Sequence, residues 1–329
     1  MALFSSNRYF KPGKGVERDE PQKKAFFRFF ELYFRKFWKY ILINLIYVAV
    51  LLPFILYLYA TVYDMLYYLF MAMGFTPEQI ENVWTPFLYL ATLYYNYLPA
   101  PVTNVLLVLS VLAYGPCRAG MTYVLRNFAC EQHAWISDIW DKAKENWKQG
   151  MLFGVLDMLV LFVAVFNLSY RPESIGGGMA SLLTASKYLT VLAVLLYSYM
   201  RKYIFLMIVT VKLKATAIVK NAWLLMMIGI FRNVGSGLLN ALLWLGGYAL
   251  VLLVHPMFEA LLLPFLLPVC TNLINIFASY PLIRKYMVEP IEQMSPQERE
   301  ALMQPSSKKL EKQARKARKA REKDQYYNS

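Results

Sequence analysis

Asp157 poses the clearest chemical problem in this chain. It is the only charged residue between Met151 and Leu168. A carboxylate inside an apolar run is costly in hydrocarbon and marks either a functional group or a structural ion pair. Arg118 and Lys202 are the candidate partners on neighbouring segments. Pairing with one of them, or simple protonation, is the favoured reading; a transport or binding group is the alternative. His255 and Glu259 are four residues apart at the mouth of a later apolar span. They could sense external pH or hold a cation. Two ligands make a poor metal site, so interfacial solvation is favoured and no metal or cofactor is implied.

Other polar residues in the apolar runs are amides. Asn104, Asn240, Asn272 and Asn275 suit hydrogen bonds between helices better than contact with a substrate. The cysteines, Cys117, Cys130 and Cys270, form no C-x-x-C pair and read as small buried hydrophobes. No Walker loop, G-x-S-x-G, H-E-x-x-H or G-x-G-x-x-G occurs. No catalytic residue is therefore assigned, and the chain reads as a non-enzyme.

The elements that must position these groups are membrane helices. Apolar residues make up 58% of the 329, aromatics 16%, and mean hydropathy is +0.37. No Lys or Arg occurs between Tyr40 and Cys117, or between Asn233 and Ile283. Such stretches suit several crossings of about 20 residues each and exclude a large soluble enzyme. The expected fold is an all-α polytopic bundle with about six transmembrane helices and interfacial amphipathic helices. The spans fall at about 41–63, 100–114, 151–168, 187–211, 238–254 and 260–283, within a membrane domain of 25–290. Residues 1–24 read as a flexible cytosolic arm without a cleavable signal, so the first span is an uncleaved anchor. Residues 291–329 form a basic cytosolic tail, opened by a capping box at Ser295.

Between the spans lie three interfacial candidates. AFFRFFELYFRKFWKY alternates basic and aromatic residues at helical spacing, as a helix lying in the membrane surface does. WISDIWDKAKENWKQG repeats that amphipathic pattern. Residues 212–235 form a third, less clear case. The likeness of KENWKQG to KNAWLLM suggests three tandem units of a surface helix followed by a hairpin. Residues 64–98, acidic and tyrosine-rich, read as an outer hairpin of interfacial helices with a helix start at Thr76. Gly115-Pro116 reads as a break ending the second span.

Of the 35 Lys and Arg, only Arg171 and Lys187 fall outside segments assigned to the inner side. This positive-inside pattern implies a multi-pass protein with both termini cytoplasmic. In the tail, Lys308, Lys309, Lys312, Arg315, Lys316, Arg318, Lys319, Arg321 and Lys323 form a dense cationic segment. Each basic residue near an anionic leaflet contributes about 1 kcal/mol. The segment lacks aromatics for base stacking, so anionic lipid or an acidic protein is favoured over nucleic acid.

One stretch resembles a known family. Gly115-Pro116, Ala119, Tyr123-Val124, Arg126, Glu131, Asp138, Trp140 and Asn146-Trp147-Lys148-Gln149 resemble the signature of the YesL-type bacterial integral membrane proteins, a domain of unknown function. The likeness extends over residues 25 to 285, with 64–98 as an apparent insertion and a longer basic tail. The resemblance implies a bacterial plasma-membrane location and an accessory or scaffold role beside carbohydrate transporters or sensor proteins. It supplies no catalytic residues. A small-solute transporter using Asp157 is the first alternative, and a membrane enzyme acting on lipid the second.

Overall fold

The computed structural model describes residues 25–72, 74–169, 178–254, 262 and 265–295. His255, Glu259 and the basic tail from 308 to 323 lie outside the described residues. Every regular element among the described residues is helical. In order they are α1 (Ala25–Arg35), α2 (Phe37–Ala72), α3 (Pro77–Tyr97), α4 (Ala100–Ala129), α5 (Asp138–Glu145) and α6 (Trp147–Ser169). Then come α7 (Gly178–Thr210), α8 (Ala215–Ile228), α9 (Ile230–Leu253) and α10 (Leu267–Ile283). A π-helical turn, Arg284–Val288, leads into a last short helix, α11 (Glu289–Gln293).

Four described helices have the length and apolarity to cross a membrane: α2, α4, α6 and α7. A fifth crossing results if α8 and α9, bent by 86° at Gly229, count together. Large apolar side chains such as Val105, Phe162, Phe166, Leu189 and Leu242 face outward on these helices. A contiguous apolar exterior of this kind marks a protein surrounded by lipid. The chain is an integral membrane protein.

The expected break at Gly115-Pro116 is absent, and α4 runs through both residues to Ala129. Fifteen residues at 1.5 Å rise would reach only about 22 Å, short of a ~30 Å hydrocarbon layer, whereas the continuous helix reaches ~45 Å. Proline costs one helical hydrogen bond, which a packed membrane helix tolerates. What the dipeptide does is admit α6. A Cβ at Gly115 would collide with the carbonyl oxygen of Gly150, and one at Gly154 would come within 2.7 Å of the Gly115 Cα. Gly150-x-x-x-Gly154 is thus a small-residue seam that lets two backbones touch. The segment 64–98 also differs from expectation: α2 continues to Ala72, and α3 packs back on it. The start at Thr76 is as expected, a capping box in which Thr76 and Gln79 satisfy each other's backbone.

The helices form a layered bundle. Inner helices α4, α7 and α10 pack on one another, α2 and α6 both pack on α4, and α9 packs on α10. The order short helix, outer helix, inner helix recurs as α5–α6–α7 and α8–α9–α10, while in the first part of the chain α3 intervenes between α2 and α4. The matching register differs from the one read above. Gly154-Val-Leu-Asp157 on α6 corresponds to Gly237-Leu-Leu-Asn240 on α9, and Trp140 to Trp223. At the same constant interval the inner helices carry Tyr114-x-x-x-Arg118, Tyr197-x-x-x-Arg201 and Tyr280-x-x-x-Arg284.

At one end the units are tied together. Arg28 donates to the Ala129 carbonyl (2.8 Å), Arg126 to the Val209 carbonyl (2.8 Å), and Gln149 to the Leu213 carbonyl (2.7 Å). Helix α4 ends there with Glu131 in the left-handed region (φ 59°), a place that favours glycine. Arg28 and Arg35 hold its carboxylate at 3.3 and 3.5 Å.

Candidate functional site

The residues expected to matter separate into an ionic cluster, a cavity beside it and a groove at the basic end. Asp157 is 7% exposed and sits between α4 and α7. Two Tyr-x-x-x-Arg pairs reach it, because a spacing of four puts both side chains on one helix face. From α4, the Tyr114 hydroxyl donates to Oδ2 (3.0 Å), and Arg118 Nη1 lies 3.8 Å from the same oxygen. From α7, the Tyr197 hydroxyl donates to Oδ1 (2.6 Å) and Arg201 Nε to Oδ2 (2.6 Å). Both arginines also donate to the Tyr114 hydroxyl. The carboxylate is fully engaged, as a buried charge must be.

The structure therefore selects pairing for Asp157 and corrects its partners. Arg118 is one of them. Lys202 is not: its Nζ donates to Ser236 Oγ (2.6 Å) on α9 and stands 5.1 Å from the Tyr199 ring. Arg201 is the closest cation, although its sequence context marked only the approach to the interface. Adjacent helical residues point about 100° apart, so Arg201 faces α6 while Lys202 faces α9. The repeated Tyr-x-x-x-Arg spacing was the available signal for it.

Beside this cluster lies a cavity of about 640 Å³. It occupies the seam between α7 and α9, floored by α2 and α10. Arg118, Arg201 and Lys202 line it, with Asn240, Thr271 and Asn275 opposite. Counted along the helix axes, Lys202, Arg118 and Asp157 lie about 12 to 17 Å from the ends of α7 and α4 and the start of α6. The expected role of the amides holds in part. Asn240 donates to Asn275 Oδ1 (3.0 Å), joining α9 to α10, while Asn272 bonds within its own helix to the Pro268 carbonyl (2.8 Å). Asn44, not singled out by the sequence, joins α2 to the start of α10: it donates to the Phe265 carbonyl and accepts from the Val269 amide, each at 2.8 Å.

The family-like residues lie around α4, α5 and α6 and do structural work. Gly115 and Pro116 contact the Gly150 backbone. The Tyr123 ring carries Arg126 at 4.9 Å and Lys142 at 5.1 Å. Asp138 accepts from the Trp135 amide (2.9 Å), and Asn146 donates to the Lys142 carbonyl (3.0 Å). Trp147 is half exposed, with Lys148 Nζ 5.7 Å from its ring. Lys142, Glu145, Asn146, Trp147, Lys148 and Gln149, together with Ile208–Lys214, bound an open groove of about 760 Å³ at the basic end. In it Lys142 donates to Glu145 Oε2 at 2.5 Å and holds that carboxyl below its usual range. Among the described residues no group of three His, Cys, Asp or Glu is placed to hold a metal.

No family model, curated protein or solved structure matches this chain.

Proposed function

We propose that this chain is a non-enzymatic integral membrane component that binds a small solute between its helices, in the service of uptake or sensing. The observation that carries this reading is the cavity between α7 and α9. It reaches Arg118 and Arg201, the cations of a buried ionic cluster, and Lys202 beside them. Internally repeated membrane proteins characteristically place solute sites at mid-depth between repeats. Asp157 serves as a fixed counter-ion here, not as the moving group of a transporter, because three donors and a second arginine at 3.8 Å already hold it. The excess of Lys and Arg at the joined end supports a plasma membrane with that end cytoplasmic.

Accessibility tests the reading. In a cysteine-free background, Thr271→Cys on the cavity wall should react with a small, charged thiol reagent in the folded protein. Ala241→Trp, which fills the space, should suppress that reaction. A folded Thr271→Cys protein that stays unlabelled would sink the proposal. A second reading has its own observation. The groove bounded by Lys142, Trp147, Lys148, Lys212 and Lys214 supports an accessory role toward a transporter or sensor at the cytoplasmic face, as the family resemblance implies.

A further inference from the structure

The two seams of the repeat are alike in plan and opposite in outcome. Between α4 and α6, Gly115, Gly150 and Gly154 let the backbones touch, and Asp157 closes the seam by neutralising arginines. The equivalent positions between α7 and α9 are Ser198, Asn233 and Gly237. A Cβ at Gly237 would already meet the Tyr199 hydroxyl at 2.7 Å. The side chain of Tyr199, not backbone, stands against Gly237, and the cavity lies in this seam. The position equivalent to Asp157 is Asn240, which lines that space and brings no charge.

The cations are nevertheless there. Arg118, Arg201 and Lys202 line the cavity, and the one carboxylate paired with any of them among the described residues is Asp157. Lys202 is 7% exposed, and its ammonium, with three donors, meets Ser236 Oγ and no carboxylate among the described residues. Arg118, 8% exposed, has a buried Nε with no hydrogen-bond partner among the described residues. Buried cations without counter-ions are strongly disfavoured unless something supplies the charge. We infer that the cavity binds an anionic oxygen group, a carboxylate or phosphate, which takes at Asn240 the place Asp157 takes in the neighbouring seam. This rests on the solute-binding reading above. Such a group arrives either on a water-soluble solute or as the headgroup of an anionic lipid, since Leu51, Ile55 and Leu238 give the cavity an apolar side.

The test uses the full chain and its melting temperature. In neutral detergent, inorganic phosphate and acetate are titrated at constant ionic strength against chloride. In neutral-lipid nanodiscs, phosphatidylglycerol is added in steps. A saturable rise with the soluble anions assigns a free solute, and a rise with phosphatidylglycerol alone assigns a headgroup; either supports the inference. Lys202→Met should weaken the response about tenfold, and Lys202→Arg should retain it. Asn240→Asp builds the missing carboxylate in. It should melt higher than the parent without added anion and no longer respond to it, which keeps the test valid if Lys202→Met fails to fold. No response in either arm overturns the inference, as does a response that Asn240→Asp leaves unchanged. Saturable binding of a neutral solute without any anion response overturns the inference but leaves the solute-binding reading standing. An unlabelled Thr271→Cys removes that reading itself.

Discussion

At the residue scale, burial separates two ion pairs of similar geometry. Asp157 and Arg201 meet at 2.6 Å with side chains 5% and 29% exposed. Lys142 and Glu145 meet at 2.5 Å with side chains 31% and 49% exposed. Removing one partner of a buried pair strands the other charge and costs about 3–5 kcal/mol. Asp157→Asn should therefore lower the melting temperature in detergent sharply, toward the low end of that range because Arg201 keeps some access to its surroundings. An unchanged melt would mean that the guanidinium finds another partner and that the cluster is not structural. Glu145→Gln should change stability by only ~0.5 kcal/mol, because a screened surface pair gives little. Glu145 titrates below its usual range through the Lys142 hydrogen bond. Its small contribution is present above the unfolded pKa and fades as pH falls through the folded one. A chemical-denaturation series from pH 7 to pH 3 on parent and Glu145→Gln protein checks the sign. Asp157 was legible because it stands alone in an uncharged run. Arg201 was hidden by its neighbour, since two adjacent cations near a helix end look like an interface marker until the helix phase is known.

At the element scale, glycine decides where helices meet. Gly154→Ala places a methyl 2.7 Å from the Gly115 Cα and 2.8 Å from its nitrogen. Backbone cannot yield as a flexible side chain does, so overpacking of about 1–3 kcal/mol follows. Gly246 on α9 has nothing within 4 Å of its added Cβ among the described residues. There alanine gains helix propensity, up to ~1 kcal/mol. Melting the two variants side by side should give opposite signs, and two equal shifts would refute the seam. The apolar helices themselves were legible from hydropathy. The end of α4 was not, because Gly-Pro signals a break in water, whereas in a packed bundle the same pair provides close contact. The 86° bend at Gly229 was equally hidden. It depends on packing: a Cβ there would press on Leu282 and the Tyr203 hydroxyl, each at 2.5 Å. Asn233 then satisfies the Met226 carbonyl at the break (2.9 Å).

At the scale of the whole molecule, the shared end of the units determines which side each loop must occupy. Helix α4, about 45 Å long, separates Asn96 from the tied end. At that end α5 leads into α6, whose Gln149 bonds to the Leu213 carbonyl in the α7–α8 connection. Lys144 and Lys212 must therefore share a side, and Asn96 must face the other, whichever way the protein is inserted. The proposed insertion, argued from the distribution of Lys and Arg, has the tied end in the cytoplasm. In a cysteine-free background and intact cells, an impermeant thiol reagent should label Asn96→Cys. It should spare Lys144→Cys and Lys212→Cys until the membrane is opened. Labelling of both lysine positions with protection of Asn96 would reverse the orientation and leave the bundle intact. Labelling of Lys212→Cys alone, with Lys144→Cys protected, would contradict the packing of α6 against the α7–α8 connection and with it the arrangement of repeats that creates the cavity.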